Sequence, residues 1–234
     1  MSQFQTIKRT LQDQIESGLL TAGCKLPAER KLAELFDTTR ITLREALVLL
    51  ESEGVIYREE RRGWFVSPPR LDYNPAERSH FHEMVRQQGR QPDTRLLDCQ
   101  TLAANTEISR LLQLPALSRV HRVQRLRRID QRPVLYVEHY LNPAPFPDIL
   151  QHNLNGSLTE IYQQHYGVGY GRLRLQIYPT ALTGEAAAAL NVAQGSHGLL
   201  IIRVNYDQEN RILDCDYEYW RHDAVCLLVD TAEF

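Results

Sequence analysis

Several things are scarce in this sequence. It has four cysteines, Cys24, Cys99, Cys215 and Cys226, and no Cys-x-x-Cys pair among them. That spacing argues against a zinc ribbon or a disulfide framework and predicts free thiols in a reduced compartment. No apolar run approaches the roughly 18–20 residues that a membrane span needs, so no membrane partner is expected. Met1–Thr10 is polar and leads into no apolar signal-like core, which predicts a cytoplasmic protein. Gly-x-Ser-x-Gly, a phosphate-binding P-loop and His-Glu-x-x-His are all missing. Gly167-Val168-Gly169-Tyr170-Gly171 follows no strand and reads as a loop rather than a dinucleotide site. His80 and His82 stand two apart and diverge on a helix, so no metal site is expected. No catalytic residue and no cofactor are predicted.

Charge is also scarce in total: 27 basic against 29 acidic residues give a net charge of −2. Its distribution says more. Residues 1–70 carry 11 basic and 10 acidic side chains, and all three lysines lie in the first 31 positions. A nucleic-acid partner would therefore have to be recognised by the placement of charge, not by its sum.

Placement favours such a partner. Phe4, Ile7, Leu11 and Ile15 recur at helical spacing before Gly18, and a second helix is expected over about Ala28–Phe36. A third, about Arg40–Glu53, carries an inner stripe of Leu43, Ala46, Leu47 and Leu50 and ends at Gly54. Two short β-like segments, Val55–Arg58 and Trp64–Val66, flank a polar tip. Three helices and a small hairpin make a winged helix-turn-helix. Thr39, Arg40, Thr42 and Arg44 sit at the start of the third helix, where free N–H groups and the helix dipole favour phosphate and guanidinium groups can read guanine. Arg61, Arg62 and Gly63 at the tip suit a minor groove.

These segments also resemble a known family. Leu26-Pro27-Ala28-Glu29-Arg30-Lys31-Leu32-Ala33, Thr39-Arg40-Ile41-Thr42-Leu43-Arg44-Glu45-Ala46-Leu47, Leu50–Gly54 and Arg62–Val66 are similar to the DNA-binding domain of GntR-family bacterial repressors. The resemblance implies that Arg30, Arg40, Thr42 and Arg44 contact operator DNA and that Gly63 lies at the wing tip. Asp37-Thr38-Thr39 stands where many members have Gly-Val-Ser.

Beyond Pro69 the patterning changes. A short helix is expected over Ser79–Gln88, followed by β-type runs at Thr94–Leu102, Arg119–Ile129, Val134–Tyr140, Arg172–Thr180, Leu199–Asp207 and Leu213–Trp220. Helical stretches at Glu107–Leu112, Ser157–His165 and Gly184–Leu190 lie between them, and hairpin-like turns fall at 130–132 and 208–210. The class is α+β, a mostly antiparallel sheet with helices. Arg125 and Arg127 alternate onto one face of a strand, where two guanidiniums repel unless they share an anion; the alternative is a basic face paired with carboxylates.

Gly89–Pro92, Arg125-x-Arg127 with Asp130 and Pro133, Glu138–Leu141, Gly156-Ser157-Leu158 with Tyr166-Gly167, and Tyr219–Asp223 resemble the UTRA effector domain of the HutC subgroup, which has a chorismate-lyase-like fold. Within that subgroup, segments 38–42, 61–66, 154–160 and 205–208 are similar to regulators of 2-aminoethylphosphonate degradation operons. The organisation implied is a winged helix over 1–69, a linker over 70–75 and an effector-binding and dimerising domain over 76–234. The resemblance further implies an anion held by Arg125, Arg127 and the N–H groups near Phe81 and His82, with Ser79 as cap and Ser157 assisting. Asp214, or else Glu138, would meet a ligand ammonium, and Tyr219 would wall the pocket. The expected protein is a homodimeric regulator that binds double-stranded operator DNA and responds to 2-aminoethylphosphonate. Alternatives are a sugar phosphate or other anionic effector, and an enzyme of chorismate-lyase type.

Overall fold

The computed structural model describes residues 2–59, 61–77 and 80–230. Its N-terminal part holds helices α1 (Gln3–Glu16), α2 (Glu29–Leu35) and α3 (Arg40–Ser52), then the antiparallel strands β1 (Ile56–Glu59) and β2 (Gly63–Val66). Ile7 and Leu11 from α1, Leu32 from α2 and Leu43, Ala46, Leu47 and Leu50 from α3 meet Ile56, Trp64 and Val66 in one apolar core. The 3.6-residue periodicity of each helix is what supplies these faces. Thr39 caps α3, its Oγ1 accepting from the Thr42 N–H at 3.2 Å. Asp37, in the place of the family's glycine, adopts a left-handed φ of 45°. The turn needs a positive φ there, and aspartate is among the few non-glycine residues that tolerate it.

The second part is built on strands β4 (Pro92–Ala103), β5 (Arg119–Ile129), β6 (Arg132–Leu141), β7 (Tyr170–Leu182), β8 (Ser196–Asp207) and β9 (Ile212–Arg221). They form one antiparallel sheet in the order β4-β5-β6-β9-β8-β7. β5 and β6 are joined by Asp130 and Gln131, both at positive φ, the geometry of a two-residue hairpin turn. Helices α5 (Thr106–Leu112) and α7 (Gly184–Leu190) cover one face of the sheet, packing with Val120, Ile202 and Tyr217 and with Leu126 and Tyr136 respectively. Helices α4 (Phe81–Gln87) and α6 (Leu158–Tyr166) cover the other. α4 joins a cluster with Leu135, Val137 and Trp220, and α6 one with Val123 and Leu141. Between those two clusters the same face turns polar.

One expectation needs correction. Leu71–Tyr73, expected to fall in a polar linker, forms strand β3, paired in parallel with β10 (Val225–Leu227). Leu71 and Tyr73 are buried against α4 and Trp220, so the chain leaving the winged helix enters the second core at once. The two parts are also tied directly. Arg70 donates to the Glu53 carbonyl at 3.0 Å, and His222 Nε2 lies 2.9 Å from the Glu51 carbonyl. Tyr57 meets the guanidiniums of Arg132 (3.8 Å from ring centre) and Arg221 (5.1 Å), both ion-paired with Asp223.

Candidate nucleic-acid interface and anion cavity

The N-terminal end of α3 carries an exposed polar surface. Arg40 is exposed at its first position, and the Thr39 and Thr42 hydroxyls lie 3.0 Å apart. Arg44 is ion-paired with Glu29 at 3.2 Å, and the other Glu29 oxygen accepts from the Trp64 indole at 3.0 Å. One carboxylate thus fixes the third helix, the second helix and the wing relative to one another. Arg62 at the tip pairs with Glu59 and lies 5.3 Å above the Phe65 ring, while Gly63 turns the chain at φ 102°, a conformation costly for other residues. Arg30 sits on α2 beside Glu34, 3.6 Å away. Arg30, Thr39, Arg40, Thr42, Arg44, Arg62 and Gly63 therefore belong to the helix-and-wing side of one small domain.

The polar gap in the second domain is a cavity of about 940 Å³ between α4, α6 and the sheet. Of the residues expected at an effector site, Phe81, His82, Arg125, Arg127 and Ser157 line it. Ser79 lies outside the described residues. Three expected residues do not line it. Glu138 is on the opposite sheet face, with Gln124 at 3.1 Å, because side chains alternate along β6 and it is His139 that points inward. Tyr219 is likewise on the far face, 6.0 Å from the Tyr136 ring. Asp214 is on the correct face but sealed off. It accepts from the Tyr162 hydroxyl at 2.8 Å and from Asn205 at 2.6 Å. Burial and the neighbouring Asp216 push its carboxyl up to about 7.

The lining contains groups that sequence reasoning passed over: His139, Arg203, Asn205, Asp216 and Glu218. Asp214, Asp216 and Glu218 alternate in β9, so a carboxylate row was visible in the sequence, but only one of its members was weighed. Within the cavity wall, Arg125 is 2% exposed and donates from Nε to His139 Nε2 at 3.0 Å and from Nη1 to the Gly156 carbonyl at 2.8 Å. His139 Nδ1 faces Asp216 Oδ1 at 2.5 Å. Since Nε2 accepts from arginine, the proton sits on Nδ1 and the ring is neutral. Burial and then Arg125 hold His139 down at about 4, against the pull of Asp216. Burial and then Arg127 lower Arg125 to about 9, which leaves it charged at neutral pH.

Arg127 is different. It lies 4.9 Å from the Phe81 ring centre, and among the described residues its buried Nε has no hydrogen-bond partner. Burial lowers its pKa, and Glu218 and Asp216 oppose that. Arg203 pairs with Glu218 at 3.4 Å and donates to the Tyr73 hydroxyl. A buried guanidinium nitrogen without a partner costs free energy that a bound anion would recover. His82 Nε2 is 2.8 Å from Thr94 Oγ1, and burial lowers its pKa, which favours the neutral ring.

Comparison with known proteins agrees with both halves. Residues 3–66 match the model for bacterial regulatory proteins of the gntR family, and residues 87–225 match the UTRA domain. The chain is 30% identical over 230 residues to the HTH-type transcriptional regulator YihL of Escherichia coli K12, covering 98% of each. It is 28% identical to the HTH-type transcriptional repressor NagR of Bacillus subtilis, covering 94% of this chain and 90% of that one. The crystal structure of PhnF from Mycobacterium smegmatis superposes with a TM-score of 0.67 at 23% identity, covering 97% of this chain and all of that one. With a winged helix in front and a UTRA fold behind, the chain belongs to the GntR family of transcriptional regulators, in its UTRA-containing, HutC-like branch.

Proposed function

We propose that this regulator acts as a homodimer whose affinity for operator DNA is set by a small anionic metabolite held against Arg127. The observation that carries the reading is half-buried Arg127, open on a cavity, with a buried Nε that has no hydrogen-bond partner among the described residues. Arg125 already spends donors on His139 and Gly156, so it supports the site more than it grips the ligand. Asp216 and Glu218 stand on the same wall and suit a cationic or hydroxyl-bearing end. A zwitterion with one anionic and one ammonium group fits this polarity. 2-Aminoethylphosphonate is the first candidate, because the sequence resembles regulators of its degradation operons. The Asp216–His139–Arg125 chain ends on an arginine instead of a nucleophile, which favours binding over catalysis.

A second reading rests on size. A cavity of about 940 Å³ lies at the upper end of the range for small-molecule sites and leaves room for a sugar phosphate. The two are separated by thermal shift and operator binding with 2-aminoethylphosphonate, sugar phosphates and inorganic phosphate. The proposal expects a raised melting temperature and altered operator affinity with the aminophosphonate. A response to sugar phosphates alone would transfer the assignment to them, and no response to any anion would overturn the sensor reading.

The dimer would place two winged helices on half-sites about one helical turn, ~34 Å, apart, giving a near-palindromic operator. The ligand acts only through its differential affinity for the two dimer arrangements. The route is short. Tyr73 on β3 lines the cavity and contacts Arg203, and three residues earlier Arg70 holds the carbonyl that ends α3. DNA reading is assigned to Arg30, Thr39, Arg40, Thr42, Arg44, Arg62 and Gly63.

A further inference from the structure

The recognition helix presents a side chain that polar chemistry does not account for. Ile41, at the second position of α3, is 82% exposed and, among the described residues, packs into no apolar cluster. It lies between Arg40 and Thr42, and Leu43, Ala46 and Leu47 turn the other side of the helix inward. With 100° per residue, Ile41 falls almost opposite Leu43, on the outermost line of the helix together with Glu45 and Val48. The helix itself gains nothing from it: a β-branched residue in the first turn has only middling helix propensity and contributes no capping. Alone it would be an ordinary exposed apolar residue. Its place in the middle of the operator-facing end changes that. Arg40 and Thr42 on either side are equipped for phosphates and for hydrogen-bonding base edges, whereas Ile41 is the wholly apolar side chain of the three and the one best suited to the apolar feature of the major groove, the thymine 5-methyl group.

We propose that Ile41 is a specificity-determining residue that buries a thymine 5-methyl in each operator half-site. This rests on the operator-binding reading and adds to it a base preference that hydrogen bonding alone would not produce. Adenine and cytosine at that position offer polar atoms to an aliphatic side chain, so they are disfavoured by desolvation without any compensating bond.

The test uses the full-length protein and a duplex enriched by it from a random pool. Each thymine of the enriched half-site is replaced in turn by deoxyuridine, which removes the methyl and leaves the pairing intact, and binding is measured by anisotropy. One position per half-site should lose about fourfold in affinity, the effect of one buried carbon. Ile41→Ala should lose a similar factor on the thymine duplex, show no further loss on deoxyuridine, and enrich pools in which that position is degenerate. Its melting temperature should match the wild type, because the side chain supports no core. If no thymine methyl matters to the wild type, or if Ile41→Ala remains equally sensitive to its removal, the assignment is wrong while operator binding stands. If no sequence is enriched at all, operator recognition itself fails and Ile41 with it.

Discussion

Among single residues, Arg127 and the buried titratable groups carry the sharpest consequences. Arg127→Ala should abolish ligand-induced stabilisation without lowering the unliganded melting temperature, because the cost of its buried, unpaired Nε is removed together with the proposed anion site. Arg127→Lys would keep the charge but lose the planar donor pair, and should bind more weakly. Arg125→Ala is expected to destabilise the fold itself, since it leaves His139 Nε2 and the Gly156 carbonyl without their donor.

Acidity tests the same wall. His139 has a folded pKa of about 4, below its ordinary value, so protonation is resisted in the native state and stability is lost as pH falls from about 6.5 towards 4. Asp214 is raised to about 7, so the native state holds its proton more tightly and stability is lost as pH rises from about 4 towards 7. The two trends oppose each other, and His82 and His121, whose pKa values burial also lowers, add to the first. Asp214→Asn removes the second trend alone. Its melting temperature should then rise with pH between 4 and 6.5, and more weakly when His139 is also replaced by Gln; a flat or falling profile would contradict the neutral state of the buried histidines, and an equal rise in both variants would contradict that assigned to His139.

At the scale of elements, the α3 N-terminus and the wing act through Glu29. Its two oxygens hold Arg44 and Trp64, so Glu29→Ala leaves a buried indole N–H unpaired and should cost roughly 1–3 kcal/mol in urea unfolding. Arg40→Ala should instead leave stability unchanged and lose discrimination at one base position, roughly 1–3 kcal/mol by competition between operator variants. The elements themselves were largely legible. The inner stripe of α3 and the alternation of β5 follow from side-chain period alone, and α3 and β5 form where expected. What was not legible depends on partners far away in the chain. β3 is three residues long and pairs with a strand some 150 positions later, so nothing local marks it. Glu138 and His139 are neighbours, and only the register of β6 against β5 and β9 decides which of them faces the cavity. Asp214, expected from the resemblance to meet a ligand ammonium, lies on the cavity's face of the sheet, but Tyr162 and Asn205 cover it, a packing fact that no spacing reveals.

At the scale of the whole molecule, the winged helix is not simply tethered to the second domain. Tyr57 from β1 is gripped by Arg132 and Arg221, and both guanidiniums depend on Asp223. Burial alone would raise the Asp223 carboxyl, but Arg221 and Arg132 outweigh it and hold it at about 2. Asp223→Ala would leave two buried cations unpaired and should destabilise by about 3–5 kcal/mol, read as a drop in the urea midpoint. This junction lies beside Arg70 and β3, and β3 runs from there to the cavity wall through Tyr73. Under the proposed function, it is the physical connection through which occupancy of the cavity would bias the placement of the winged helices in the dimer.

The most direct measurement is operator affinity of the full-length protein, titrated with and without 2-aminoethylphosphonate, for the wild type and for Arg127→Ala. The account predicts a ligand-dependent change in the wild type that disappears in the variant, with unliganded affinity equal in both. A change of equal size in the two proteins would contradict it.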